Sequence, residues 1–148
     1  MKRVDLAYTA GIVDGEGCIE ISRSNRPGHR YPNHYLRVTV VSTDQWLCEW
    51  LHFSYGGSIQ ERLGHPSHTK RQWGWVIQNT KALEFLKLIL PYLHIKQPQA
   101  EIGIKHQEGK KKSTRELTDA ERAVHAAERL LLQNMKRDTG MLSNRVAD

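Results

Sequence analysis

Apolar and polar residues alternate in two pairs of short stretches, and a segment of helical period precedes each pair. From Cys18 to Ser24, Ile19 and Ile21 alternate with Glu20 and Ser22. After a loop from Asn25 to Asn33 that holds Pro27, Gly28 and Pro32, the alternation resumes, with Leu36, Val38 and Val40 on one face and Tyr35, Arg37 and Thr39 on the other. Such period-two runs predict strands with one buried face. The second pair, Ser58 to Leu63 and Gln72 to Gln78, flanks the loop Gly64-His65-Pro66-Ser67-His68. In its last strand Trp73, Trp75 and Ile77 are expected inward and Gln72, Gly74, Val76 and Gln78 outward; a slip of one residue would exchange the two faces.

Helical segments fill the remainder. Asp5 is the expected N-cap of a helix over 6–14 that ends in Gly15-Glu16-Gly17, and Ser42 or Thr43 that of a short helix bearing Trp46, Leu47, Trp50 and Leu51. Thr80 opens a helix with Leu83, Phe85, Leu86 and Leu90 at helical spacing, Pro91 bends the chain, and a further helix runs from about Gln97 to Gln107. Thr118 and Glu121 form a capping box for a long last helix. The order is α-β-β-α-β-β-α-α with a C-terminal helix appended. It predicts an α+β layer fold with four antiparallel strands and the helices on one face. Residues 1–108 form the core, 109–117 a basic linker, and 118–148 the C-terminal helix and tail.

The length of 148 residues suits one domain with a genuine core. Lys and Arg outnumber Asp and Glu by 22 to 16, a net charge of +6 that points weakly to a polyanionic partner, since basic side chains release the counterions condensed on phosphates. Cys18 and Cys48 form no CxxC pattern, the longest apolar run, Leu88-Ile89-Leu90, spans no membrane, and no signal-type segment follows Met1. An intracellular protein is expected. The sheet face away from the helices would carry Glu20, Ser22, Ser24, Arg26, Tyr35, Arg37, Thr39, Gln60 and Arg62. Its Arg and Gln side chains are of the types that contact guanine, adenine and phosphate in a DNA groove, although solvated surface reads the same way.

Thr9-Ala10-Gly11-Ile12-Val13-Asp14-Gly15-Glu16-Gly17 resembles the signature of the LAGLIDADG homing endonucleases, with Thr9 in place of Leu and Glu16 in place of the final Asp. Leu90-Pro91-Tyr92-Leu93-His94-Ile95-Lys96-Gln97-Pro98-Gln99-Ala100 resembles the family's downstream segment, at the spacing of one family repeat. The resemblance covers residues 4–108. It implies the family's αββαββα fold with a saddle-shaped four-stranded sheet and, because one motif copy is present, a homodimer whose motif helices pack about the dyad. It implies a Mg²⁺-dependent, site-specific double-strand DNA endonuclease, a homing enzyme acting by phosphodiester hydrolysis on a long pseudo-palindromic target.

Residue roles follow from the resemblance. Ala7, Ala10, Gly11, Asp14 and Gly15 would lie at the dimer interface, where small side chains let two helix backbones approach. Glu16 from each subunit would meet near the axis. Two such carboxylates stay ionised only with cations between them, and with the Gly15 carbonyl they would hold Mg²⁺, two or more ions per dimer. Asp14 has a structural role in the family. Lys96 matches the family lysine near the scissile phosphate, where a cation stabilises developing charge. Arg71 and Gln72 join the DNA-binding set. A Gln that orders the attacking water in some relatives is absent near the end of the second strand, which leaves Thr39, Gln45 or solvent to do so.

His65 and His68 lack a third ligand at metal spacing and read as an exposed or phosphate-facing loop. Lys110 to Lys112, Arg115, Lys136 and Arg137 read as solvated charge or backbone contacts. The alternative function on the same fold is a non-cleaving binder, either an intron RNA maturase or a DNA-binding regulator. A generic basic regulator that reads DNA with the 118–138 helix fits less well, because that helix carries an apolar stripe.

Overall fold

The computed structural model describes residues 1–62, 70–111 and 116–147, with the side chains of Lys111 and of residues 137–147 excepted. The loop with His65 and His68, together with Leu63, Lys112, Arg115 and the Arg137 side chain, lies outside the described residues. The elements are α1 (Arg3–Glu16), β1 (Gly17–Ser24), β2 (Asn33–Ser42), α2 (Gln45–Tyr55), β3 (Ser58–Arg62), β4 (Gln72–Gln78), α3 (Asn79–Ile89), a 3-10 turn (Leu90–Tyr92), α4 (Gln97–Lys111) and α5 (Asp119–Ala147). All strand pairs are antiparallel and the sheet order is β1-β2-β4-β3. This is the expected α+β arrangement.

The alternation fixes which face is covered. Val38 pairs with Ile77 and Val40 with Trp75, and all four are at most 2% exposed. They share one core with Ile19 and Leu36, with Ala10 and Val13 of α1, Cys48 and Leu51 of α2, and Leu83, Phe85, Leu86 and Ile89 of α3. Each covered Leu or Ile contributes about 1.5–3 kcal/mol relative to exposure. The phase expected for β4 therefore holds: Trp75 lies inward and donates its indole N–H to the Gly56 carbonyl at 2.8 Å. Gly17 makes the turn from α1 into β1, and a Cβ there would meet the Val13 Cα and carbonyl oxygen at 2.8 Å. Only glycine lets the strand leave the helix so closely.

Several helix ends differ from expectation. Asp5 sits in the first turn of α1, whose N-cap is Lys2. α2 is capped by Asp44, which accepts from Trp46 N at 3.0 Å, while Ser42 Oγ accepts from Asp44 N. Any of three adjacent small polar residues could serve there, and tertiary geometry selects the last. α3 begins at Asn79, whose φ of 58° is a left-handed value that Asn tolerates better than most residues. α4 continues to Lys111, into the stretch expected as linker. The capping box of α5 forms as expected: Glu121 N donates to Thr118 Oγ1 at 3.2 Å, and Thr118 N to Glu121 Oε2 at 3.3 Å. α5 returns to pack on α4 and β1, with Leu132 buried.

Candidate nucleic-acid interface and helix-end site

The strand register assembles the outward face into rows. Cys18, Thr39, Val76 and Ser58 form one, Glu20, Arg37 and Gln78 the next, and Ser22 pairs with Tyr35 and Ser24 with Asn33. Toward the β3 edge of the same face Gln60 pairs with Gly74 and Arg62 with Gln72. Arg62 lies back across Gly74, where a Cβ would come within 2.9 Å of its Nε. Arg37 Nε is 3.9 Å from Glu20 Oε1, which also accepts from Ser22 Oγ at 3.2 Å.

Two members of the expected set are not part of these rows. Arg26 is exposed in the loop beyond β1, and Arg71 precedes β4 and pairs at 3.3 Å with Glu61, a residue of the opposite face. Conversely, α5 brings in a cation that sequence reasoning took for solvated charge. Lys136 Nζ lies 2.9 Å from Cys18 Sγ and 3.9 Å from Glu20 Oε2. With Arg37, Tyr35 and Gln133 it lines a cavity of about 250 Å³ beside β1. No local pattern announces a contact between residues 118 apart.

The C-terminal end of α1 borders this face. The Asp14 carboxylate accepts from the backbone N–H groups of His94, Ile95 and Lys96 at 2.9, 3.2 and 2.9 Å, so it ties the entry of α4 to α1 within the chain. The Lys96 ammonium donates to the carbonyls of Val13, Asp14 and Gly17 at 2.9, 3.1 and 2.6 Å. A cation is favoured there, because a helix end gathers carbonyl dipoles. Burial pulls the Lys96 pKa below its ordinary value, and the nearby Lys136 works in the same direction against Cys18, Asp14 and Glu16. Glu16 itself is exposed and has no hydrogen bond or ion pair among the described residues.

Ala7, Gly11 and Gly15 are exposed, and a Cβ on either glycine would meet nothing within 4 Å. The stripe is therefore uncovered in the single chain, flanked by Val4 and by Tyr8, which is 50% exposed. Ala10 departs from the expectation for the interface. It is 0% exposed, held in the chain's own core. Of the candidates for ordering water, Thr39 is buried to 8% exposure in the middle of the outward face, and Gln45 donates its amide to Glu49 at 3.0 Å. The donors that would face a Mg²⁺ ion, a free carboxylate and a main-chain carbonyl at a helix C-terminus, are hard oxygens and fit that ion; the remaining ligands would come from a second copy, DNA and water.

A second group suited to a divalent ion lies elsewhere. His106 on α4 and His125 and Glu128 on α5 each offer one ligand atom, all within 4.8 Å of one another. Ten residues of helical rise, about 15 Å, separate His106 from Lys96 along α4. The group was not found from the sequence, whose only local hint is His125 and Glu128 one turn apart.

No family model and no curated protein matches the chain. Solved structures do. The homing endonuclease I-CvuI in complex with the I-CreI target superposes with a TM-score of 0.74 at 18% identity, covering 90% of this chain and 82% of that one. The archaeal intron-encoded homing endonuclease I-Vdi141I complexed with DNA gives a TM-score of 0.74 at 17% identity, covering 89% and 84%. The I-SmaMI LAGLIDADG homing endonuclease bound to cleaved DNA gives 0.62 at 19%, with 82% of this chain matched to only 42% of that one. This chain has the LAGLIDADG homing endonuclease fold. In LAGLIDADG terms, residues 9–17 close α1, the strands β1 to β4 make the open sheet, and residues 90–100 carry the turn and the start of α4. Among the described residues, no helix is long and apolar enough to cross a membrane.

Proposed function

We propose that the chain is one subunit of a homodimeric, Mg²⁺-dependent homing endonuclease that cleaves both strands of a long, roughly palindromic DNA site. The observation that carries this reading is Glu16: a carboxylate with no partner, at the point where the uncovered small-residue stripe of α1 meets the outward sheet face. Packing two copies of that stripe about a dyad brings two Glu16 carboxylates together and sets two outward faces side by side. The unequal coverage of the solved structures supports it, since this chain matches most of the length of I-CvuI and less than half of I-SmaMI.

Within each subunit Glu16 and the Gly15 carbonyl would hold Mg²⁺, which when bound activates water and stabilises the leaving 3′ oxygen. Lys96, fixed by three carbonyls beside that end, supplies positive charge toward the scissile phosphate. Glu20, Ser22, Ser24, Tyr35, Arg37, Thr39, Gln60, Arg62 and Gln72 read base edges or phosphates from the sheet, while Arg26 reaches from its loop and Arg71 contributes at the edge. One observation favours a second reading, a non-cleaving DNA or intron-RNA binder: the end of β2 bears no glutamine, and the Gln45 amide is occupied by Glu49.

The test selects a duplex from a randomised pool by binding, then compares the wild-type chain with Glu16→Gln on a plasmid carrying it. Cleavage by the wild type in Mg²⁺, lost in Glu16→Gln with duplex binding retained, is expected. Equal cleavage by both would overturn the role of Glu16, and tight binding with cleavage by neither would establish the binder.

A further inference from the structure

We propose that His106, His125 and Glu128 form a second metal site, of the zinc type, that fastens α5 to α4. His125 and Glu128 are one turn apart and so project from the same side of α5. His106 faces them from α4, its ring centroid 4.7 Å from that of His125. His106 Nδ1 and Glu128 Oε1 are 3.4 Å apart, and ligands bonded to zinc at about 2.0–2.1 Å in a tetrahedron stand about 3.3–3.4 Å from one another. That edge is already at coordination distance, and the ligand atoms of all three residues lie within 4.8 Å of one another.

The cluster is built and buried. His106 is 1% and His125 7% exposed; His106 turns its Nδ1 to Glu128, and the buried His125 Nδ1 has no hydrogen-bond partner. Buried polar atoms are nearly always paired, so the orphan His125 nitrogen beside the His106–Glu128 pair points to an occupant. Two imidazoles and one carboxylate are borderline donors, which favour zinc, cobalt or nickel over magnesium. Lys110, the nearest ammonium, is turned onto the His34 carbonyl and Asn33 Oδ1 and does not join the ligand set. The His34 ring lies 6.3 Å from that of His125.

The consequence reaches the outward sheet face. α5 carries Lys136 to Cys18 and Glu20, so a metal that pins α5 to α4 also fixes a cation on the outward face. This inference stands independently of the nuclease reading, because it rests on residues away from Glu16.

The full-length chain, stripped with a chelator and dialysed, is titrated calorimetrically with Zn²⁺ and separately with Co²⁺, whose visible spectrum reports tetrahedral nitrogen and oxygen ligation. One ion per chain, a tetrahedral Co²⁺ spectrum and a Tm that rises with Zn²⁺ but not with Mg²⁺ are expected. His125→Ala should abolish uptake, and a Glu128→Gln chain checked as folded by circular dichroism should show uptake weakened at least as much as by loss of an outer-shell partner, roughly 10- to 100-fold. His29→Ala, at an exposed histidine, should leave uptake unchanged. Absence of stoichiometric uptake by the wild type, or equal uptake by a folded Glu128→Gln chain and the wild type, would overturn the site.

Discussion

Asp14 and Glu16 leave the same turn of α1 two residues apart, yet they stand in opposite conditions. Asp14 is spent on three backbone N–H groups of the segment entering α4, and Glu16 is exposed and makes no hydrogen bond or ion pair among the described residues. A helix advances 100° per residue, so a step of two turns one carboxylate toward the chain's own loop and leaves the other outside. The same motif thus holds a fastening residue and a chemically available one. The contrast separates what builds the site from what the site would use.

Stability should break that symmetry most strongly. Asp14→Ala removes a charged acceptor from three donors at once, and hydrogen bonds to charged groups are worth about 1.5–3 kcal/mol each before solvent exposure reduces them. Since two of the three lie in exposed surroundings, a loss of roughly 2–4 kcal/mol is expected, read as an earlier midpoint in urea unfolding. Glu16→Ala should shift that midpoint by no more than about 0.5 kcal/mol, as surface substitutions do. Equal losses would mean that Glu16 too is structural.

Lys96 belongs with Asp14 on the fastening side and with Glu16 on the chemical one. Lys96→Met leaves three carbonyls at the end of α1 without their donor, at a cost of about 1–3 kcal/mol. If the ammonium also serves the scissile phosphate, cleavage falls further than in a variant destabilised equally at a site remote from the DNA. Matched losses of activity in the two variants would confine Lys96 to packing.

The two faces of α1 offer the next contrast. Ala10 is enclosed and Gly11 is open, though they are neighbours in sequence. Ala10→Leu forces extra methylenes into a filled core and should cost about 1–3 kcal/mol. Gly11→Leu meets no atom of its own chain and exchanges glycine for a better helix former, a gain of up to about 1 kcal/mol for the monomer. If the proposed dimer forms through this stripe, light scattering should show a monomer for Gly11→Leu and a dimer for the wild type, because the added side chain holds two stripes apart. An unchanged dimer would place the interface on another surface.

What the sequence revealed follows the range of the physics involved. The strand faces were readable because alternation is local, and the β4 phase was recovered from Trp73, Trp75 and Ile77 alone. Helix caps were missed by one or two positions where Ser42, Thr43 and Asp44 compete. Ala10 was placed in the interface because a run of small residues does not say which side of a helix each occupies. Contacts that join distant segments left no pattern: Lys136 to Cys18 spans 118 residues, and the histidine cluster exists only because α5 folds back on α4. Asp14 to Lys96, 82 residues apart, lies in a pair of motifs that resemblance had singled out, but the direction of its bonds came from the structure.

The smallest effects should separate Arg62 from Arg71, which lie close together at the β3–β4 edge on different faces. Arg62 shares the outward face with Gln72 and lies over Gly74, whereas Arg71 is paired with Glu61 and largely exposed; on the proposed reading Arg62 contacts a base. Replacing Arg62 by Ala should relax preference at one or two base pairs by about 1–3 kcal/mol each and leave the rest of the profile intact. Arg71→Ala removes an exposed ion pair worth about 0–1 kcal/mol and should lower affinity slightly and evenly over all sequences, with a shallower dependence on salt. Binding profiles over a randomised duplex library distinguish the two patterns. A sequence-specific change for Arg71→Ala would show that its side chain leaves Glu61 when DNA arrives, and an even loss for Arg62→Ala would assign that residue to phosphate.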